Sequence, residues 1–110
     1  MTKTYHFLVI LIFALLSSAN AKGKIKVACI GDSITWGSAI KNRAEECYPV
    51  KLQALLGDKY EVRNFGDPGR CIIKTSRRGR EPRAFMLRPN HKKALEFKPN
   101  IVICNLGIND

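Results

Sequence analysis

Three apolar stretches, each closed by a glycine, set the frame of the chain. Residues 24–30 read Lys-Ile-Lys-Val-Ala-Cys-Ile before Gly31-Asp32-Ser33, and residues 101–106 read Ile-Val-Ile-Cys-Asn-Leu before Gly107. Short β-rich runs ended by turn residues predict buried strands. Between them, residues 60–65 alternate sides and end at Gly66-Asp67-Pro68-Gly69, a strand running into a tight loop. Two segments carry helical spacing instead. Residues 48–56 place Leu52, Leu55 and Leu56 on one face, with Pro49 suited to a first turn and Gly57 to the position after a C-cap. Residues 94–97, led in by His91-Lys92-Lys93 and stopped by Pro99, predict a second, short helix.

Strand, helix, strand, helix, strand, with strands apolar enough to be covered on both faces, predicts an α/β fold built on a doubly wound parallel sheet in three layers. Right-handed crossovers then bring the loops after all three strands to one edge of the sheet. Residues 31–33, 66–70 and 107–110 are thereby expected to line one crevice.

The first 21 residues stand apart from this pattern. Lys3 precedes a ten-residue apolar run, residues 7–16, followed by Ser17, Ser18 and Ala19-Asn20-Ala21. That is the layout of a secretory signal peptide cleaved after Ala21, and the run is shorter than the roughly 20 residues that cross a bilayer. The expectation is a signal peptide over 1–21 and one domain over 22–110, exported to the periplasm or medium, with no membrane attachment once the signal is removed.

Composition sharpens the picture at two points. Nineteen Lys and Arg against nine Asp and Glu give a net charge of +10, and 45% hydrophobic residues exclude an acidic disordered tail or a collagen-like repeat. The excess charge is concentrated between Arg70 and Lys98, which hold ten basic residues and two acidic ones. A solvated face or insertion is the plain reading, a crevice-mouth loop attracting acidic substrates is a second, and nucleic acid is not expected as a partner of an exported chain. The four cysteines, Cys29, Cys47, Cys71 and Cys104, match no disulfide scaffold or metal ladder. Free thiols are expected, Cys29 and Cys104 as small buried hydrophobes, with a Cys47–Cys71 bridge as the remaining alternative.

The three strand-end loops carry the chemistry. Gly31-Asp32-Ser33-Ile34-Thr35 with Trp36-Gly37, then Asn64-Phe65-Gly66-Asp67-Pro68-Gly69, then Gly107-Ile108-Asn109-Asp110 occur in this order with a Tyr48-Pro49 helix between the first two. In that combination the chain resembles the SGNH (GDSL-type) hydrolases, a family of esterases, lipases and carbohydrate deacetylases with a flavodoxin-like fold. The resemblance implies Ser33 as nucleophile and an oxyanion hole formed by the backbone amides of Ser33 and Gly69 and the side-chain amide of Asn109. It implies an acyl-enzyme, no metal or organic cofactor, and a small-molecule or carbohydrate ester as substrate. Pro68-Gly69 fits on its own terms as a turn whose glycine takes a positive φ. Asp32 is read as structural, accepting backbone N–H bonds around Ser33; Gly66 is read as ending its strand, and Trp36 as packing, with stacking on a sugar ring the alternative.

One part of the family pattern is missing. The aspartate and histidine three residues apart that supply its base have no counterpart here, because His6 lies in the leader and His91 is expected as a solvated helix-start residue. The expectation is the N-terminal part of a hydrolase domain, cut after its third strand and inactive as given. Within the family the motifs look most like secreted bacterial esterases that remove acetyl groups from carbohydrates. A lysophospholipase or thioesterase, or a non-catalytic carbohydrate-binding protein on a decayed esterase fold, are the alternatives.

Overall fold

A computed structural model describes residues 23–78 and 81–110, so the leader and its cleavage site lie outside the described residues, as does Arg80 of the basic segment. Three strands, β1 (Ile25–Gly31), β2 (Tyr60–Gly66) and, last in the chain, Ile101–Asn105, form one parallel sheet in the order β2, β1, last strand. The α/β reading holds. The central strand is the most deeply covered, with Val27, Ala28 and Cys29 all at 1% exposure or less.

Alternation along β1 divides its side chains between two faces. On one, Ala28 and Ile30 pack with Phe65, Phe85, Ala94 and Phe97, and the Phe65 and Phe97 rings lie 5.6 Å apart between centroids. That face is closed by a 3-10 turn at Phe85–Leu87 and by a helix at Pro89–Glu96. The helix starts five residues before the expected Ala94, because Pro89 stands in its first turn, where the missing N–H costs nothing. His91 is accordingly inside the helix, half-buried, with its ring edge-on to Phe85 at 5.9 Å between centroids; it is not the solvated helix-start residue expected.

Two short helices, α1 (Ser33–Trp36) and α2 (Arg43–Glu46), lead from β1 into α3 (Tyr48–Leu56). The last spans the expected residues, but its inward face differs. Leu55 is 84% exposed, whereas Pro49 is buried and Leu52, Gln53 and Leu56 are half-buried. Positions i, i+3, i+4 and i+7 therefore form the stripe, and Gln53 belongs to it for a polar reason. Its side chain accepts from Val62 N–H at 2.7 Å and donates to the carbonyls of Tyr60 and Gly57 at 3.1 and 3.2 Å, pinning the helix to the edge of β2.

In the basic segment, β3 (Arg77–Arg78) and β4 (Glu81–Pro82) form a two-stranded antiparallel ladder, and the last sheet strand is thus β5 (Ile101–Asn105). All five residues of β5 are exposed, since β5 hydrogen-bonds to β1 along one edge and no described element covers its faces. Cys104 is exposed with them, against the expectation of a buried thiol. The other three cysteines are buried, and all four are free, Cys47 and Cys71 included. None of the described helices is long and apolar enough to cross a membrane.

Candidate active site

Register fixes where the site must be. Gly31, the last residue of β1, stands level with Gly66, the last of β2, and with Asn105, the last of β5. All three strands therefore end in one row, and the loops that follow leave from the same edge.

The first loop turns at once into α1. Asp32, fully buried, is its N-cap and accepts the Ile34 N–H at 2.9 Å through Oδ1, the structural role the sequence suggests. Gly37 closes the helix at φ 89°, a left-handed position that suits glycine. An Asp and a Gly five residues apart were the available signal for this helix; its four residues are too few for periodicity to find. Ser33 is the first residue of α1, and its hydroxyl makes no hydrogen bond to a described protein group. Beside it opens an apolar depression of about 210 Å³ lined by Ser33, Ile34, Gly37, Ser38, Ala39 and Ile40.

Helix α1 sits directly on the sheet, which explains two glycines that strand-ending alone does not. A Cβ on Gly31 would fall 2.0 Å from Thr35 Oγ1, and one on Gly66 would fall 2.3 Å from the Trp36 amide nitrogen. Asn64, quoted in the sequence motif without a role, is the clamp between them. Its amide donates to the Thr35 carbonyl at 2.8 Å and its Oδ1 accepts the Gly66 N–H at 2.8 Å. Below α1, Thr35 and Tyr48 hydroxyls meet at 3.2 Å. Burial pushes the Tyr48 phenol and the Cys29 thiol up from their ordinary values, so both are neutral around pH 7. Trp36 is half-buried and packed, its ring covered by the Arg43 guanidinium at 3.6 Å from the centroid.

Hydrogen bonds bring the second and third loops against the first. Asp67 donates its N–H to the Gly31 carbonyl at 2.9 Å. Gly69 adopts φ 77°, the positive value expected of it, and its N–H is bonded to no described protein acceptor. The Asn109 side-chain amide donates to the Arg70 carbonyl at 2.9 Å and reaches Asp32 Oδ2 at 3.4 Å. One amide thus touches both of the other loops, and Asp110 Oδ1 accepts the Ile72 N–H at 2.8 Å.

Three arginines of the basic run are folded into this junction and are not a free charged face. Asp67 takes two of them: Arg70 Nε lies 3.1 Å from Oδ1, an ion pair whose angle falls short of a hydrogen bond, and Arg88 Nε lies 3.3 Å from Oδ2. Arg88 also reaches Glu81 at 2.9 Å. Arg83 donates to the carbonyls of Asn109 and Gly69, at 3.0 and 3.4 Å. Lys74, Lys92, Lys93 and Lys98 stay exposed, as a solvated face requires. Among the described residues no group of three His, Cys, Asp or Glu side chains could hold a metal ion.

Residues 29–110 match a family described as GDSL-like lipase/acylhydrolase. An acetylxylan esterase from Xylanibacter ruminicola is 46% identical over 92 residues, which cover 84% of this chain and 18% of that protein. The chain therefore spans less than a fifth of the length of the curated relative it matches. No solved structure gives a significant match.

Proposed function

The chain belongs to the GDSL-like lipase/acylhydrolase family, and on that premise we propose that it is the nucleophile-bearing part of an exported serine esterase that removes O-acetyl groups from carbohydrates. In this reading Ser33 Oγ attacks the ester carbonyl carbon and passes its proton to a base. The carbonyl oxygen becomes an oxyanion that receives hydrogen bonds from the Ser33 and Gly69 amides and from Asn109, which gives up its long contact to Asp32. Each such donor contributes about 2.7–4 kcal/mol to the transition state. Collapse of the tetrahedral intermediate breaks the C–O bond and the leaving sugar hydroxyl takes the proton. Water then attacks the acetyl-serine, releasing acetate and restoring Ser33.

The observation that carries this reading is the convergence of the loops after β1, β2 and β5, joined by the Asn109 amide. Two amides left without protein acceptors, on Ser33 and Gly69, suit an incoming anion. The shallow apolar depression beside Ser33 suits a short acyl group, and the relative named an acetylxylan esterase agrees with that size and with a carbohydrate carrier. No described side chain hydrogen-bonds the Ser33 hydroxyl, and the ring of His91 lies against Phe85. The reading therefore assigns the base, and turnover, to sequence beyond these 110 residues, and assigns residues 1–21 to a signal removed on export.

The test uses the protein as its gene encodes it. A fluorophosphonate probe is expected to label Ser33, and Ser33→Ala is expected to lose both labelling and hydrolysis of acetylated xylan. An unlabelled wild type, or a Ser33→Ala protein that still hydrolyses, overturns the nucleophile. Faster turnover of long-chain than of acetyl esters overturns the acetyl assignment.

A further inference from the structure

We propose that Arg83 is a positioning residue of the oxyanion hole, one planar guanidinium that sets the spacing between its two remote donors, Gly69 and Asn109. The inference rests on the esterase reading above and extends it to a residue that the motifs do not include.

The Asn109 amide is tied to the Arg70 carbonyl at 2.9 Å, but little packs around Gly69 or Ile108. A Cβ added to Gly69 would meet nothing within 4 Å, and its φ of 77° is a conformation glycine enters and leaves easily. Asn109 follows Gly107, at φ 117°, and Ile108, which is 74% exposed. Two separate segments, one following β2 and one following β5, must nevertheless present amides at a fixed separation. Beside the Asn109 and Asp110 side chains, Arg83 spans them by bonding the carbonyls of both donor residues, donating from Nη2 to the Asn109 carbonyl at 3.0 Å and from Nε to the Gly69 carbonyl at 3.4 Å.

Its own backbone is well anchored. Arg83 N–H donates to Ser76 at 2.9 Å, its carbonyl accepts from Cys71 at 3.0 Å, and the next two residues, Ala84 and Phe85, are 0% and 3% exposed. Core packing on the Phe85 face is thereby transmitted to both carbonyls through one rigid fork. Lysine cannot replace it in kind, because an ammonium on a flexible stem has no fixed pair of coplanar donors. In the run of basic residues from Arg70 to Lys98, only the fold distinguishes Arg83 from its neighbours.

The experiment compares wild type, Arg83→Met, Arg83→Lys and Ser33→Ala in the full gene product, with kcat counted per fluorophosphonate-labelled site so that misfolded protein does not enter. A displacement near 1 Å at a reacting group costs on the order of 10²-fold, so Arg83→Met is expected to lower kcat by about 10- to 100-fold with KM changed less than about threefold. The affinity for an alkyl boronic acid, whose tetrahedral adduct occupies the oxyanion position, is expected to fall in parallel with kcat. Arg83→Lys is expected to recover part of the loss, and it serves as the measurement if Arg83→Met fails to fold. A merely structural role would lower the number of labelled sites and leave kcat per site intact. That outcome, or boronate affinity unchanged in both variants, overturns the proposal while Ser33→Ala still tests the esterase reading separately: an active Ser33→Ala overturns both.

Discussion

Replacing Gly66 by alanine tests whether the contact between β2 and α1 sets the position of Ser33. The added methyl would lie 2.3 Å from the Trp36 nitrogen and 2.8 Å from Thr35 C and Trp36 Cα, whereas ordinary contact begins at 3.4 Å. About 1.1 Å of separation must be found, and every atom met is backbone, so no rotamer change relieves it. Overpacking of this kind costs about 1–3 kcal/mol, and the absence of a flexible neighbour places Gly66→Ala in the upper half of that range. Helix α1 has one full turn, so the shift reaches Ser33, and a displacement near 1 Å costs on the order of 10²-fold in kcat.

The comparison variant is Gly57→Ala. Gly57 has φ 74° and ψ −165°, and a Cβ there touches nothing. That backbone region is almost confined to glycine, so alanine costs about 1–3 kcal/mol by strain alone. Urea unfolding of the protein as its gene encodes it, with kcat per fluorophosphonate-labelled site, separates the two effects. Both variants are expected to lose stability, and only Gly66→Ala is expected to lose turnover per site. Equal kcat values for the two variants, or a Gly66→Ala protein within about 0.5 kcal/mol of wild type, where an untroubled surface change would fall, would refute the reasoning.

Two further outcomes follow from the polar layer beneath α1. Asn64→Leu removes the partners of the Thr35 carbonyl and the Gly66 N–H, and each buried group left unsatisfied costs about 1–3 kcal/mol; chemical denaturation is expected to show a loss of about 2–6 kcal/mol for the two together, with Asn64→Asp retaining the bond to Gly66 and losing less. Cys29 and Tyr48 have folded-state pKa values raised chiefly by burial, so the folded chain holds their protons at pH values where the unfolded chain releases them. Stability is therefore full below the ordinary thiol range, near 8.5, and declines as pH rises through and above it. Unfolding free energies between pH 7 and 10.5 should show a flatter decline in Cys29→Ala/Tyr48→Phe than in wild type, and equal slopes would count against burial as the cause.

Strands were the most legible part of the chain, because residues 25–31, 60–66 and 101–105 are apolar or alternating runs with glycine or turn residues at their ends. The alternation of strands and helices with right-handed crossovers also carried the loops to one edge, and the level alignment of Gly31, Gly66 and Asn105 bears out that convergence. Less legible was anything decided by three-dimensional company. Leucine spacing suggested Leu55 as an inward residue, yet the inward position went to Gln53, which bonds the β2 edge. Cys104 sits in as apolar a run as Cys29, but β5 is covered along one edge alone. The arginines looked alike in sequence, and their division into braces and solvated charges depends on Asp67 and on two carbonyls that no local pattern marks.

The meeting of Asp32 and Asn109 has a bearing on how the molecule comes into being. These residues are 77 positions apart, so their encounter closes a loop that includes most of the described residues, and such closures are entropically late. During synthesis the segment holding Ser33 emerges from the ribosome well ahead of the amide that completes its surroundings. Until β5 docks, the loop after β1 lacks its contact with Asn109.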